Sequence, residues 1–139
     1  MLEEYFYWSL LHERWFIESN WKKLKSMYFS HIPKLMRSFV SNMIRKNVLK
    51  SAVGHGMSRF DDEQVLMKGK ECLKALNDGF SEQGDFFLGE KLSSYDVSCY
   101  AFVSNIIHSE LGPVLRAEAQ KYQRLLDYDQ FMYDHVFNK

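Results

Sequence analysis

Apolar positions in this chain recur at the helical period, in blocks separated by recognisable stop and start signals. The block from Glu3 to Ser19 predicts a first helix whose apolar residues surround its axis. Met1, Tyr5, Trp8 and Trp15 lie on one side, Phe6, Leu10 and Ile17 on another, and Tyr7 and Leu11 on a third. A helix apolar all round needs more than one neighbour, so it is central or carries an interface. Residues 20–32 read as irregular, with Trp21, Met27, Tyr28 and Phe29 as anchors. A second helix is expected from Pro33 to Ser51, with Leu35, Met36, Phe39, Val40, Met43 and Ile44 on one face. That face is assigned to the domain core.

The next helix starts with a full set of signals. Phe60 stands at N′, Asp61 at the N-cap, Gln64 at N3 and Val65 at N4, an aspartate version of the capping box. It stops near Asn77-Asp78-Gly79. After a short apolar patch, Asp85 to Leu88, ended by Gly89, Ser93 and Asp96 repeat the capping spacing. Ser93 can accept from the Asp96 N–H, and the Asp96 carboxylate can reach back to the Ser93 N–H. The helix that follows, Ser94 to His108, is the richest in apolar residues and reads as the core helix. Gly112-Pro113 ends that unit, and a short helix from Val114 and a final amphipathic one with Tyr122, Leu125, Leu126, Met132 and Val136 complete the chain.

Composition supports this picture. The 139 residues suit one domain, 46% are hydrophobic, and threonine is absent, which disfavours strands. Formal net charge is zero, which argues against a dedicated nucleic-acid binder. Cys72 and Cys99 match no metal or redox spacing and read as core thiols, with a reducing cytoplasm as the expected compartment. The charge is segregated, however. Between Ser19 and Phe60 there are nine basic residues and no acidic one, leaving nine basic against 18 acidic elsewhere. Such a stretch could face an anionic membrane or ligand, but a solvated face paired with the acidic remainder is the favoured reading. Catalytic patterns fail. Phe16 stands where a zinc-binding helix begun by His12-Glu13 needs its second histidine, and Gly54-x-Gly56-x-x-Arg59 follows no strand.

The run Phe86-Phe87-Leu88-Gly89-Glu90-Lys91, leading into Ser93-x-x-Asp96 and a buried helix, resembles the C-terminal domain of glutathione S-transferases. Glu90 replaces the usual Asp of that family's pattern. Leu2 to Leu10, Arg14-Trp15 and His55-Gly56-Met57-Ser58-Arg59 resemble the Fax and metaxin-like branch. The resemblance implies an all-α bundle of five to six helices spanning 1–139 as one domain, with the family's thioredoxin-like N-terminal domain absent from this chain. It further implies a part that is not catalytic alone. It would supply the hydrophobic co-substrate wall and a dimer interface, with glutathione as co-substrate of the full-length family and no cofactor held here. By that analogy Tyr7, Trp8, Leu11, His12 and Trp15 face the ligand, while Ser93, Asp96, Asp61 and Gln64 are structural caps. Transferase activity is expected only if a thioredoxin-like domain is paired with it. The expected partners are a second copy or that domain. The alternative is a metaxin-like interaction or membrane-associated module without transferase activity.

Overall fold

The computed structural model describes residues 2–80 and 84–137; Met1, placed above on the first helix, lies outside them. Seven α-helices follow in order: α1 (Tyr7–Trp15), α2 (Glu18–Tyr28), α3 (Lys34–Gly54), α4 (Asp62–Asp78), α5 (Ser94–His108), α6 (Pro113–Ala119) and α7 (Gln123–Phe137). A π-helical turn, Leu2–Phe6, leads into α1, and a 3-10 turn, Met57–Arg59, precedes α4. Among the described residues there is no strand, only one isolated bridge between Phe86 and Gly89. The all-α expectation therefore holds, with seven α-helices among the described residues rather than five or six.

The core lies where α1, α4, α5, α6 and α7 meet. Phe6, Leu10, Leu73, Leu76, Cys99, Val103, Ile106, Leu115, Leu125 and Met132 form one buried cluster. On α4 the buried residues Val65, Gly69, Cys72, Leu73 and Leu76 make a single stripe at helical spacing. Gly69 sits at the tightest point: a Cβ there would stand 2.7 Å from Leu115 Cδ2 and 3.0 Å from Ser9 Cβ. A glycine lets α4 approach both α1 and α6 at this point.

Two expectations need correction. The first helix does not run to Ser19; it breaks at Phe16, and Ile17 is extended. The carbonyls at this break bond to side chains instead of to a further turn. Asn20 Nδ2 donates to Glu13 O at 2.9 Å, and Arg45 donates to Trp15 O and Phe16 O at 2.9 and 3.2 Å. Residues 20–32 are then mostly helical, because Trp21 and Leu24 on one face of α2 bury against Phe29 and Leu111.

The second correction concerns α3. Four of the six residues expected in the core are exposed instead: Leu35 is 98% exposed, Phe39 72%, Met36 58% and Met43 49%, while Val40 and Ile44 pack against the Trp21, Leu24, Phe29 and Leu111 cluster as expected. The buried residues of α3 are Ser41 and Ala52. Two arginines face inward with them. Arg45 holds the α1 carbonyls and pairs with Glu18 at 2.9 Å, and Arg37 donates to Ser30 O at 2.6 Å and Ile32 O at 3.1 Å. Arg37 and Arg45, bonded to orphaned carbonyls, thus share the inner face of α3 with Val40 and Ile44, and the other apolar side chains turn outward.

Candidate functional site

A cleft runs between α1 and α5. Five residues of α1 line it: Tyr7, Leu10, Leu11, Arg14 and Trp15. Their spacing, i, i+3, i+4, i+7 and i+8, is one continuous helical stripe. Ala101, Phe102 and Asn105 of α5 form the facing wall. The space is about 300 Å³, at the small end of ligand clefts. Phe102 is held by stacking on buried Phe6, with centroids 5.6 Å apart. Trp15 is held by stacking on Trp21 at 5.4 Å.

One cation belongs to this apolar cleft. Arg14 Nη2 donates to Asn105 Oδ1 at 2.6 Å and to the Asn105 carbonyl at 3.3 Å, tying α1 to α5. Its Nε is buried without a hydrogen-bond partner, and among the described residues no carboxylate lies within ion-pair distance of it. Burial pushes its pKa down, opposed by the charges of Tyr28 and Glu13. The cleft thus offers apolar walls and one guanidinium anchored by a neutral amide.

The structure divides the five ligand-facing candidates. Tyr7, Leu11 and Trp15 line the cleft. Trp8 and His12 turn to the opposite side of α1. Trp8 packs against the cluster of Ala52, Met57 and Val65, its ring 4.5 Å from that of His55. His12 is buried; its Nε2 meets Asp62 Oδ1 at 2.7 Å, and its ring stacks on Phe16 at 4.4 Å. His12 therefore pins α1 to the start of α4. No group of three or more His, Cys, Asp or Glu gathers into a metal-binding set among the described residues.

Two capping boxes fix helix starts, and the second belongs to α5, the cleft's facing wall. At α4, Asp61 Oδ1 accepts from Gln64 N at 2.8 Å, and Gln64 Oε1 accepts from Asp61 N at 3.1 Å. At α5, Asp96 does more than close a box. Its Oδ2 accepts from Ser93 N at 2.9 Å and from the Ser93 hydroxyl at 2.6 Å. Its Oδ1 accepts from Phe87 N at 2.6 Å and from the Tyr128 hydroxyl at 3.3 Å. Burial alone would raise its pKa, but the hydrogen bonds from Ser93, Phe87 and Tyr128 together hold it below the usual aspartate value. This fully buried carboxylate joins the Phe86–Gly89 loop, α5 and α7.

Sequence reasoning missed Arg14 and Asn105 as cleft residues, and it missed Glu13. Glu13 is fully buried and accepts from Val114 N at 2.6 Å and Leu115 N at 3.3 Å, so it caps α6 from another helix. Burial raises its pKa, and the two backbone N–H groups partly offset that. The stripe spacing 7, 10, 11, 14, 15 could have revealed Arg14. Nothing local marks Glu13, whose partners lie about a hundred residues away.

Comparison with known proteins agrees with this architecture. Residues 69–132, from mid-α4 into α7, match the family model of the glutathione S-transferase C-terminal domain. Over 131 residues, 92% of this chain, the sequence is 27% identical to isoprene-epoxide–glutathione S-transferase of Rhodococcus sp. (strain AD45). The chain spans 54% of that relative's length. No solved structure matches it. An all-α fold, a match to the glutathione S-transferase C-terminal domain over residues 69–132, and a distant glutathione S-transferase relative thus converge on a C-terminal helical module of that kind.

Proposed function

We propose that this chain is the co-substrate half of a glutathione S-transferase-like protein, forming one domain over 1–139. The α1–α5 cleft is its apolar wall. The observation that carries this reading is the unbroken stripe of Tyr7, Leu10, Leu11, Arg14 and Trp15 set against Ala101 and Phe102. Such a stripe on a packed helix would ordinarily be filled by core side chains; here it borders open space. A thioredoxin-like half would bring glutathione and activate its thiol, and this half would select the electrophile. The relative's named substrate, an isoprene epoxide, is a small electrophile of a size such a cleft could accept. Half-exposed Tyr7 in the cleft suits a surface that a second domain or a second copy covers.

The test uses the neutral fluorescent probe phenylnaphthylamine and glutathione, each titrated into the chain. The probe should bind and quench tryptophan emission, and glutathione alone should not bind. Ala101→Phe fills the cleft from an exposed position, so it should abolish probe binding without changing the melting temperature. Probe affinity unaltered by Ala101→Phe would overturn the assignment of the cleft.

A further inference from the structure

The outer face of α3 belongs to neither the core nor the cleft. Leu35, Phe39 and Met43 recur at every fourth residue along it, with Met36 and Val53 beside them, and all five are exposed. Lys46 and Lys50 fall on the same arc and are exposed too. The surrounding stretch, Ser19 to Phe60, contains no carboxylate at all. Among the described residues, only two of its nine basic side chains meet a carboxylate: Lys23 with Glu110 at 2.8 Å, and Arg45 with Glu18 at 2.9 Å. Pairing with the acidic remainder therefore does not account for this charge. The core uses only Val40 and Ile44 of the apolar residues expected on the inner face of α3, which leaves the rest exposed.

We infer that the outer face of α3 docks the protein on an anionic lipid surface. Charge selects the occupant. A symmetric pair of chains joined through this face would set one acid-free, lysine-bearing segment against another, and like charges repel. An anionic partner complements this face. Shape then favours lipid over an acidic protein. Leu35, almost fully exposed, and Phe39, mostly exposed, project from the helix, which suits a medium that side chains can enter. Amphipathic helices with lysines flanking Leu, Phe and Met lie in the headgroup region in this way, the apolar side chains inserted and the ammonium groups at phosphate level. No helix of the described residues is long and apolar enough to cross a membrane. The contact is therefore one of lying on the surface, and it uses no residue of the α1–α5 cleft.

The test is co-sedimentation of the full chain with phosphatidylcholine vesicles, with and without phosphatidylserine, at low and high salt. Binding should require phosphatidylserine and fall away as salt screens the lysines. A lysine near such a surface contributes about fivefold in partitioning, so Lys46→Gln with Lys50→Gln should weaken binding about thirtyfold. Phe39→Ser with Leu35→Ser should remove it, while leaving the thermal melt unchanged because both side chains are exposed. Val97→Ser, an exposed apolar position on α5, is the control and should bind as the parent does. Any of four results overturns the inference: no binding at low salt, equal binding to neutral vesicles, equal loss with Val97→Ser, or a concentration-dependent dimer that Phe39→Ser abolishes. The last would assign the face to a second copy.

Discussion

Asp96→Ala tests whether one buried carboxylate holds the far wall of the cleft. The substitution removes four accepted hydrogen bonds, but their costs differ. The Tyr128 hydroxyl keeps its better partner, the Asp96 carbonyl at 2.9 Å, so it loses little. The Ser93 groups lie at a helix start, and losing the box costs about 1 kcal/mol. The Phe87 N–H is buried and has no second acceptor, which adds about 1–3 kcal/mol. The total is about 3 kcal/mol, or about 12 °C in melting temperature for a chain of this length. Asp96→Asn keeps the shape and an acceptor for Phe87 but turns an amide NH2 towards Ser93, so it should cost about half as much. Urea melts of the parent and both variants give the values directly, and an unchanged m-value keeps the comparison valid.

The same carboxylate sets a pH dependence. Its folded pKa is depressed, so its contribution is complete above the ordinary aspartate range and disappears as pH falls through the lower folded value. The gap between parent and Asp96→Ala should therefore close in acid. A loss below about 1 kcal/mol at neutral pH would refute the reasoning, because it would mean that the Phe87 N–H finds another acceptor at no cost.

The other predictions are independent of this one. Arg14→Gln should weaken binding of the anionic probe anilinonaphthalene sulfonate about tenfold, the worth of a charge-assisted contact, and leave phenylnaphthylamine unchanged; equal loss of both in fluorescence titrations would remove Arg14 from the cleft's chemistry. Gly69→Ala should destabilise by about 1–3 kcal/mol in chemical denaturation, since crowding against Leu115 and Ser9 outweighs the gain in helix propensity. Burial pushes the Cys99 thiol up to about 11 and raises Cys72 as well, so both should resist a thiol-reactive dye at neutral pH until urea unfolds the chain. Glu13→Gln should show a smaller loss at pH 7 than Asp96→Ala. The Glu13 pKa is raised on folding, so its ionised form opposes stability progressively as pH climbs from the ordinary glutamate range to the higher folded value.

What the sequence made legible was local in origin. The two capping boxes depend on residues three apart, and both form with the partners their spacing implies. The stripes on α4 and α5 are likewise set by helical period and by a core dense enough to claim them. Glu13 shows the opposite case. Its role comes from the α6 N–H groups that packing brings to it, and its neighbours in sequence give no sign of this. The cleft falls between. Period placed Tyr7, Leu11 and Trp15 on α1, but which arc faces α5 was decided elsewhere, by His12 bonding Asp62 and Trp8 meeting the turn before α4. Those two contacts rotate α1 so that Arg14, and not His12, faces the open side.

The orientation of α3 is the clearest case of packing overriding pattern, and its cause is electrostatic. Periodicity alone assigns Leu35, Phe39 and Met43 inward, since burying each would gain about 2 kcal/mol. The break after α1 changes the comparison. It leaves the carbonyls of Trp15 and Phe16 without helical partners, and buried carbonyls left unbonded cost as much each as such a side chain gains. Arg45 satisfies both and also meets Glu18, and Arg37 does the same for the carbonyls of Ser30 and Ile32. Once both arginines point inward, a helix with 100° between residues must turn Phe39 and Met43 outward. The exposed apolar face is thus the geometric consequence of breaking the first helix. Arg45→Leu should accordingly destabilise the chain by about 2–3 kcal/mol despite adding an apolar side chain to an inward position. A stabilised Arg45→Leu variant in urea melts would show that the carbonyls are hydrated, and that α3 takes its orientation from something other than those hydrogen bonds.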